Sequence, residues 1–74
     1  MENINIYTDY ITLGQFLKLS GTIRNGGEAK AYLNANFALV NGETEQRRGR
    51  KLYDGFVVEV NNCKYLIKKD VCSE

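Results

Sequence analysis

Seventy-four residues, 43% of them hydrophobic, make one domain and leave no room for a second. A chain of this size buries roughly 60% of its unfolded surface, so its core is modest. Ten Lys and Arg against nine Asp and Glu give a net charge of +1, which argues against a non-specific polyanion binder. The absence of His removes the commonest general base and metal ligand, and two cysteines alone cannot close a tetrahedral zinc site.

In chain order, Ile4 and Ile6 alternate with Asn3 and Asn5, the period of a short strand over residues 3–7 with one buried face. Thr12 begins a helix: its hydroxyl caps the first turn, and Gln15, three residues on, completes a capping box. Leu13, Phe16 and Leu17 form its apolar stripe, and Gly21 sits where a left-handed C-terminal residue is expected. Ile23 reads as a buried plug before the polar loop Arg24-Asn25-Gly26-Gly27. A second helix runs from about Gly27 to Asn36, with Ala29, Tyr32 and Leu33 inward and Lys30 and Asn34 together on another face.

Ala38-Leu39-Val40 reads as a strand, Asn41-Gly42 as a hairpin turn, and 43–46 as a polar return strand. Arg47-Arg48-Gly49-Arg50-Lys51 is a basic loop. Leu52-Tyr53 leads into an Asp54-Gly55 turn, and 56–60 is the most apolar strand. Asn61-Asn62 reverses it into a strand over 63–68, and the tail 69–74 is expected to fray. The order of strand, two helices, then four strands predicts an α+β fold: two short helices packed on a small, mostly antiparallel sheet.

Charge is unevenly spread along the chain. Between Thr12 and Lys51 stand seven cations (Lys18, Arg24, Lys30, Arg47, Arg48, Arg50, Lys51) and three acids (Glu28, Glu43, Glu45). The run 47–51 places four cations in five residues, enough to neutralise several phosphates, and Arg adds a planar fork for bidentate pairing. Gly49 lets the backbone approach a nucleic acid closely. A solvated loop is the plainer alternative. Exposed N–H groups at Gly26-Gly27 suit a phosphate at a helix start, or the glycines serve a turn with positive φ. Lys18, Arg24, Lys30 and Asn34 form either one phosphate- and base-contacting surface or an ordinary solvated face. Tyr32 and Tyr53 are expected to pack in the core rather than stack on bases, and Tyr7 and Tyr10 to be packing or edge residues. Cys63 and Cys72 read as inert thiols, and Asp54 and Glu59 as turn and strand-surface acids. No Ser/His, Cys/His or phosphate-loop constellation is present, so no catalysis and no cofactor are expected. With no basic segment leading into an apolar run before residue 12, and no apolar run of about 20 residues, a cytoplasmic protein with reduced thiols is expected.

Two helices, then Val40-Asn41-Gly42, then Leu52-x-x-Gly55 and a β-branched strand resemble the alpha-L RNA-binding motif, or S-four domain. Leu13-x-x-Phe16-Leu17, Gly21 and Glu28-Ala29 add to the likeness, which covers about 11–60. Length, the N-terminal strand, Gly26-Gly27 and the 47–51 run are closer to the small stand-alone bacterial YaaA-like members. The resemblance implies RNA binding by the two-helix face and adjacent loops. Ribosomal RNA is the expected target, a ribosomal subunit or assembly particle the expected partner, and ribosome assembly or translation the process. Three departures stand out. Thr12-Leu13-Gly14 replaces the usual Arg-Leu-Asp, Gly26-Gly27 the usual Ser-Arg, and Gly55-Phe56 the usual Gly-Asp. The missing basic contacts shift weight to the 47–51 loop. A protein-interaction adaptor docking on an acidic partner is the alternative; DNA binding ranks below it, because no segment reads as a major-groove recognition helix.

Overall fold

The computed structural model describes residues 1–70. Its elements are β1 (Glu2–Ile6), β2 (Tyr10–Thr12), α1 (Leu13–Leu19), α2 (Glu28–Ala35), β3 (Ala38–Val40), β4 (Glu43–Glu45), β5 (Lys51–Tyr53), β6 (Val57–Val60) and β7 (Cys63–Lys69).

Local chemistry sets most boundaries. Thr12 accepts from the Gln15 N–H and its own N–H donates to the Gln15 side chain, so the expected capping box opens α1. Past its C-cap Ser20, Gly21 adopts φ +81, as a left-handed helix end requires. Asn41 and Gly42 both have positive φ, as do Asn61 and Asn62, the signature of tight turns whose twist matches a hairpin. Asn41 also ties β3 to β6, donating its N–H to the Val57 carbonyl and accepting the Val57 N–H on Oδ1.

The main sheet has the order β1-β7-β6-β3-β4. Every pair is antiparallel except β1 with β7, where Ile4 faces Ile67 and the first and last described strands run side by side. The core beneath is built from Leu13, Phe16 and Leu17 of α1, Leu33 of α2, and Val40, Val58, Val60 and Ile67 of the sheet, all fully or almost fully buried. The Phe16 ring meets Tyr65 edge-on at 5.2 Å. Each such side chain contributes about 1.5–3 kcal/mol by leaving water, which holds helices too short to persist alone.

Three expectations are corrected. A second sheet, β2 with β5, was not foreseen: Ile11 pairs with Leu52, and both point into the core. Strands of three residues with one inward side chain leave too little period to read. Tyr53, expected in the core, therefore lies on the outer side of this ribbon at 42% exposure, while Tyr32 is half-buried against the core as expected. The tail does not fray from residue 69: Lys69 ends β7, its N–H donates to Asp54 Oδ1, and the Asp70 N–H donates to the Ile6 carbonyl. Cys72 and the rest of 71–74 lie outside the described residues; Cys63 is an exposed free thiol.

Candidate nucleic-acid interface

The basic loop is shaped from beneath by an acid. Glu45 occupies the inward position of β4 and is 8% exposed. An unpaired carboxylate there would be costly. It is met by Arg47, whose Nε lies 2.9 Å from Oε2, whose Nη2 lies 3.2 Å from Oε1, and whose backbone N–H donates to Oε2. Arg50 Nη1 completes the set at 3.1 Å from Oε1. Hydrogen bonding from Arg47 outweighs the opposing effect of burial and holds the Glu45 carboxyl down at about 2, against an ordinary 4.5. In an extended chain Glu45 and Arg47 share a face, which is the one sequence signal that would have revealed the pairing.

From above, the loop is pinned to the start of α1. The Leu13 N–H donates to the Arg50 carbonyl at 2.8 Å, and the Gly14 N–H to the Arg48 carbonyl at 2.9 Å. With the Thr12 cap on Gln15, the first three N–H groups of α1 are all satisfied, two of them by the loop. A Cβ at Gly14 would sit 3.5 Å from both the Ala29 Cβ and the Arg48 carbonyl oxygen, a measure of how closely loop, α1 and α2 converge there.

This convergence encloses a shallow cleft of about 400 Å³. Lys18 and Arg48 supply its cations, the exposed Gly26 and Gly49 lie at its rim, and Thr12 and Gln15, which sequence reasoning passed over as binding groups, line it beside Gly14 and Ala29. A side chain at either rim glycine would meet nothing within 4 Å, so both leave the backbone accessible. The other expected residues are arranged differently. Arg47 and Arg50 face Glu45, although Arg47 remains 76% exposed. Lys51 lies with Nζ 4.9 Å from the centre of the Tyr10 ring. Arg24, Lys30 and Asn34 are exposed but outside the lining of the cleft.

At Gly27 and the first two residues of α2 the reading of free N–H groups is corrected. Gly27 donates to Asn25 Oδ1, Glu28 to the Asn25 carbonyl and Ala29 to the Gly26 carbonyl. The Glu28 carboxylate, accepting the Arg24 N–H, adds negative charge where a phosphate was expected. Neither glycine has positive φ; the turn closes through the Asn25 side chain instead.

A second depression, about 420 Å³, lies among Tyr32, Phe37, Leu39, Glu59, Asn61 and Asn62; no Lys or Arg lines it. No helix among the described residues is long and apolar enough to cross a membrane.

Comparison with known proteins agrees with the architecture. The probable ribosome maturation protein RlbA of Bacillus subtilis (strain 168) is 58% identical over 57 residues, a span covering 77% of this chain and 80% of that protein. No solved structure gives a significant match. The model of the S4 domain matches residues 4–68, and with two helices over a mostly antiparallel sheet to bear it out, the chain belongs to the S4-domain family.

Proposed function

We propose that this protein binds structured RNA, ribosomal RNA in particular, through the cleft between α1, the 25–28 turn and the 47–50 loop, and that it acts in ribosome maturation in the cytoplasm without catalysing a reaction. The S4 domain is an RNA-binding domain. The observation that carries the reading is the double fastening of the loop, which sets Arg48 into one concavity with Lys18 of α1 while Glu45 holds Arg47 and Arg50 in place. Preorganised cations at the cleft suit phosphates, and Gln15 and Thr12 offer neutral donors and acceptors for 2′-hydroxyls beside them. The printed name of the Bacillus relative is the support for ribosome maturation as the process. The domain, taken as residues 1–74 with its motif core at about 11–60, is the whole binding unit in this reading.

Two measurements test it. Binding to ribosomal RNA titrated against salt gives a log–log slope of about −2.7, from roughly −0.9 for each of three duplex phosphate contacts made by Lys18, Arg48 and Lys51. A slope near zero overturns the electrostatic reading. Capture from lysate with and without nuclease gives RNA-dependent partners; a protein partner that survives nuclease favours an adaptor on an acidic surface instead.

A further inference from the structure

The β2–β5 ribbon presents two exposed tyrosines beside the cleft. Its register pairs Tyr10 with Tyr53, Ile11 with Leu52 and Thr12 with Lys51. Since Ile11 and Leu52 point into the core, alternation places Tyr10, Thr12, Lys51 and Tyr53 together on the outer face. The two tyrosine rings stand 5.6 Å apart at 51°, and Phe56 braces Tyr53 edge-on at 5.7 Å. Tyr10 is nevertheless 38% exposed and Tyr53 42%. A rigid pair of aromatic faces is thus held open to solvent on a ribbon whose other side is core.

Charge says what suits them. Thr12 belongs both to this outer face and to the cleft lining, so ribbon and cleft are continuous. Lys51, opposite Thr12, lies over the Tyr10 ring. At the far end of the ribbon stand acids: Asp9, paired with Lys69 at 2.7 Å, and Asp54. A polyanion therefore approaches from the Lys51 side, and what reaches the tyrosines is an uncharged, flat group carried beside its phosphates.

We infer that Tyr10 and Tyr53 form a stacking platform for an unpaired base of the RNA whose backbone lies in the cleft. An exposed cation over a ring is weakly held, so Lys51 leaves Tyr10 for a phosphate as the base takes its place. The inference rests on the proposed RNA binding and narrows the substrate class: duplex RNA interrupted by a bulged or looped-out nucleotide, rather than an uninterrupted helix whose base faces are already stacked.

The test uses the full chain and two short RNA hairpins, one fully paired and one carrying a single bulged 2-aminopurine. The wild type binds the bulged hairpin about tenfold more tightly, within the range of one base–aromatic stack, and quenches its fluorescence. The double variant Tyr10→Leu/Tyr53→Leu, with unchanged circular dichroism, loses the preference and the quenching while binding the paired hairpin as before. Tyr10→Phe/Tyr53→Phe retains both, because the rings remain. Equal wild-type affinity for the two hairpins, equal loss on both in the Leu variant, or loss of preference in the Phe variant overturns the platform. A wild type that binds neither hairpin overturns the RNA reading itself, and the platform with it.

Discussion

The basic loop has two sides that the sequence writes in the same letters. On the inner side Arg47 and Arg50 close around Glu45, a carboxylate 8% exposed, and serve the architecture. On the outer side Arg48 and Lys51 have no acid within salt-bridge distance among the described residues, and with Lys18 they serve as candidate ligands for phosphate. The difference lies in direction: the segment turns at Arg48-Gly49, where the Arg50 N–H donates to the Arg47 carbonyl, so Arg47 and Arg50 on either side of the turn both reach the buried acid while Arg48 within it lines the cleft. A count of positive charges therefore overstates the binding surface.

The largest expected effect is on the outer side. The double reversal Lys18→Glu/Arg48→Glu lowers RNA affinity by at least about 100-fold, since charge-assisted contacts are worth about 1.5–3 kcal/mol each, while the Tm stays within a few degrees. A large fall in Tm would show that these cations also hold the fold.

Next comes the inner side. Glu45→Gln lowers stability by about 2 kcal/mol, a discounted value for a buried acid whose partners are partly in water, or roughly 10 °C in Tm for a domain of this size. RNA affinity falls with it, because the loop that presents Arg48 is loosened. Acid sharpens the contrast. The Glu45 carboxyl is depressed to about 2 from 4.5, so its stabilisation is complete above about pH 4.5 and is lost as pH falls through 2. The stability gap between the wild type and Glu45→Gln, measured by denaturant unfolding, therefore narrows below pH 4.5 and closes near pH 2. A gap independent of pH would mean that shape, not charge, holds the loop.

The smallest effect belongs to the turn. Gly26→Ala meets no atom within 4 Å and no positive-φ requirement, and the neighbouring N–H groups are already bonded. Stability changes by less than about 0.5 kcal/mol and RNA affinity by less than about twofold. A strong loss of affinity would show that RNA packs directly against the Gly26 backbone in the cleft.

Much of this molecule was legible in short-range chemistry. Thr12 with Gln15, Gly21, Asn41-Gly42 and Asn61-Asn62 each act within a few residues, and each set a boundary where it was expected. The stripe Leu13, Phe16, Leu17 likewise pointed to the core. The ribbon of β2 and β5 was not legible, because Ile11 and Leu52 meet across 41 positions and neither strand is long enough to show a period. Tyr53 was misjudged for the same reason: its apolar neighbours in sequence lie on the opposite face. The burial of Glu45 was not legible either, since a three-residue polar strand does not show which of its faces turns inward.

By itself, then, the order of residues determined the helices, the tight turns, the buried stripe and the concentration of cations in the middle of the chain, all of which depend on contacts within a turn or two. Which cations face solvent, which pair with a buried acid, and which aromatics stand beside them was decided by tertiary structure. Those outcomes depend on how separate segments are rotated about their own axes once packed, and that rotation is set by the core as a whole rather than by any neighbour in sequence.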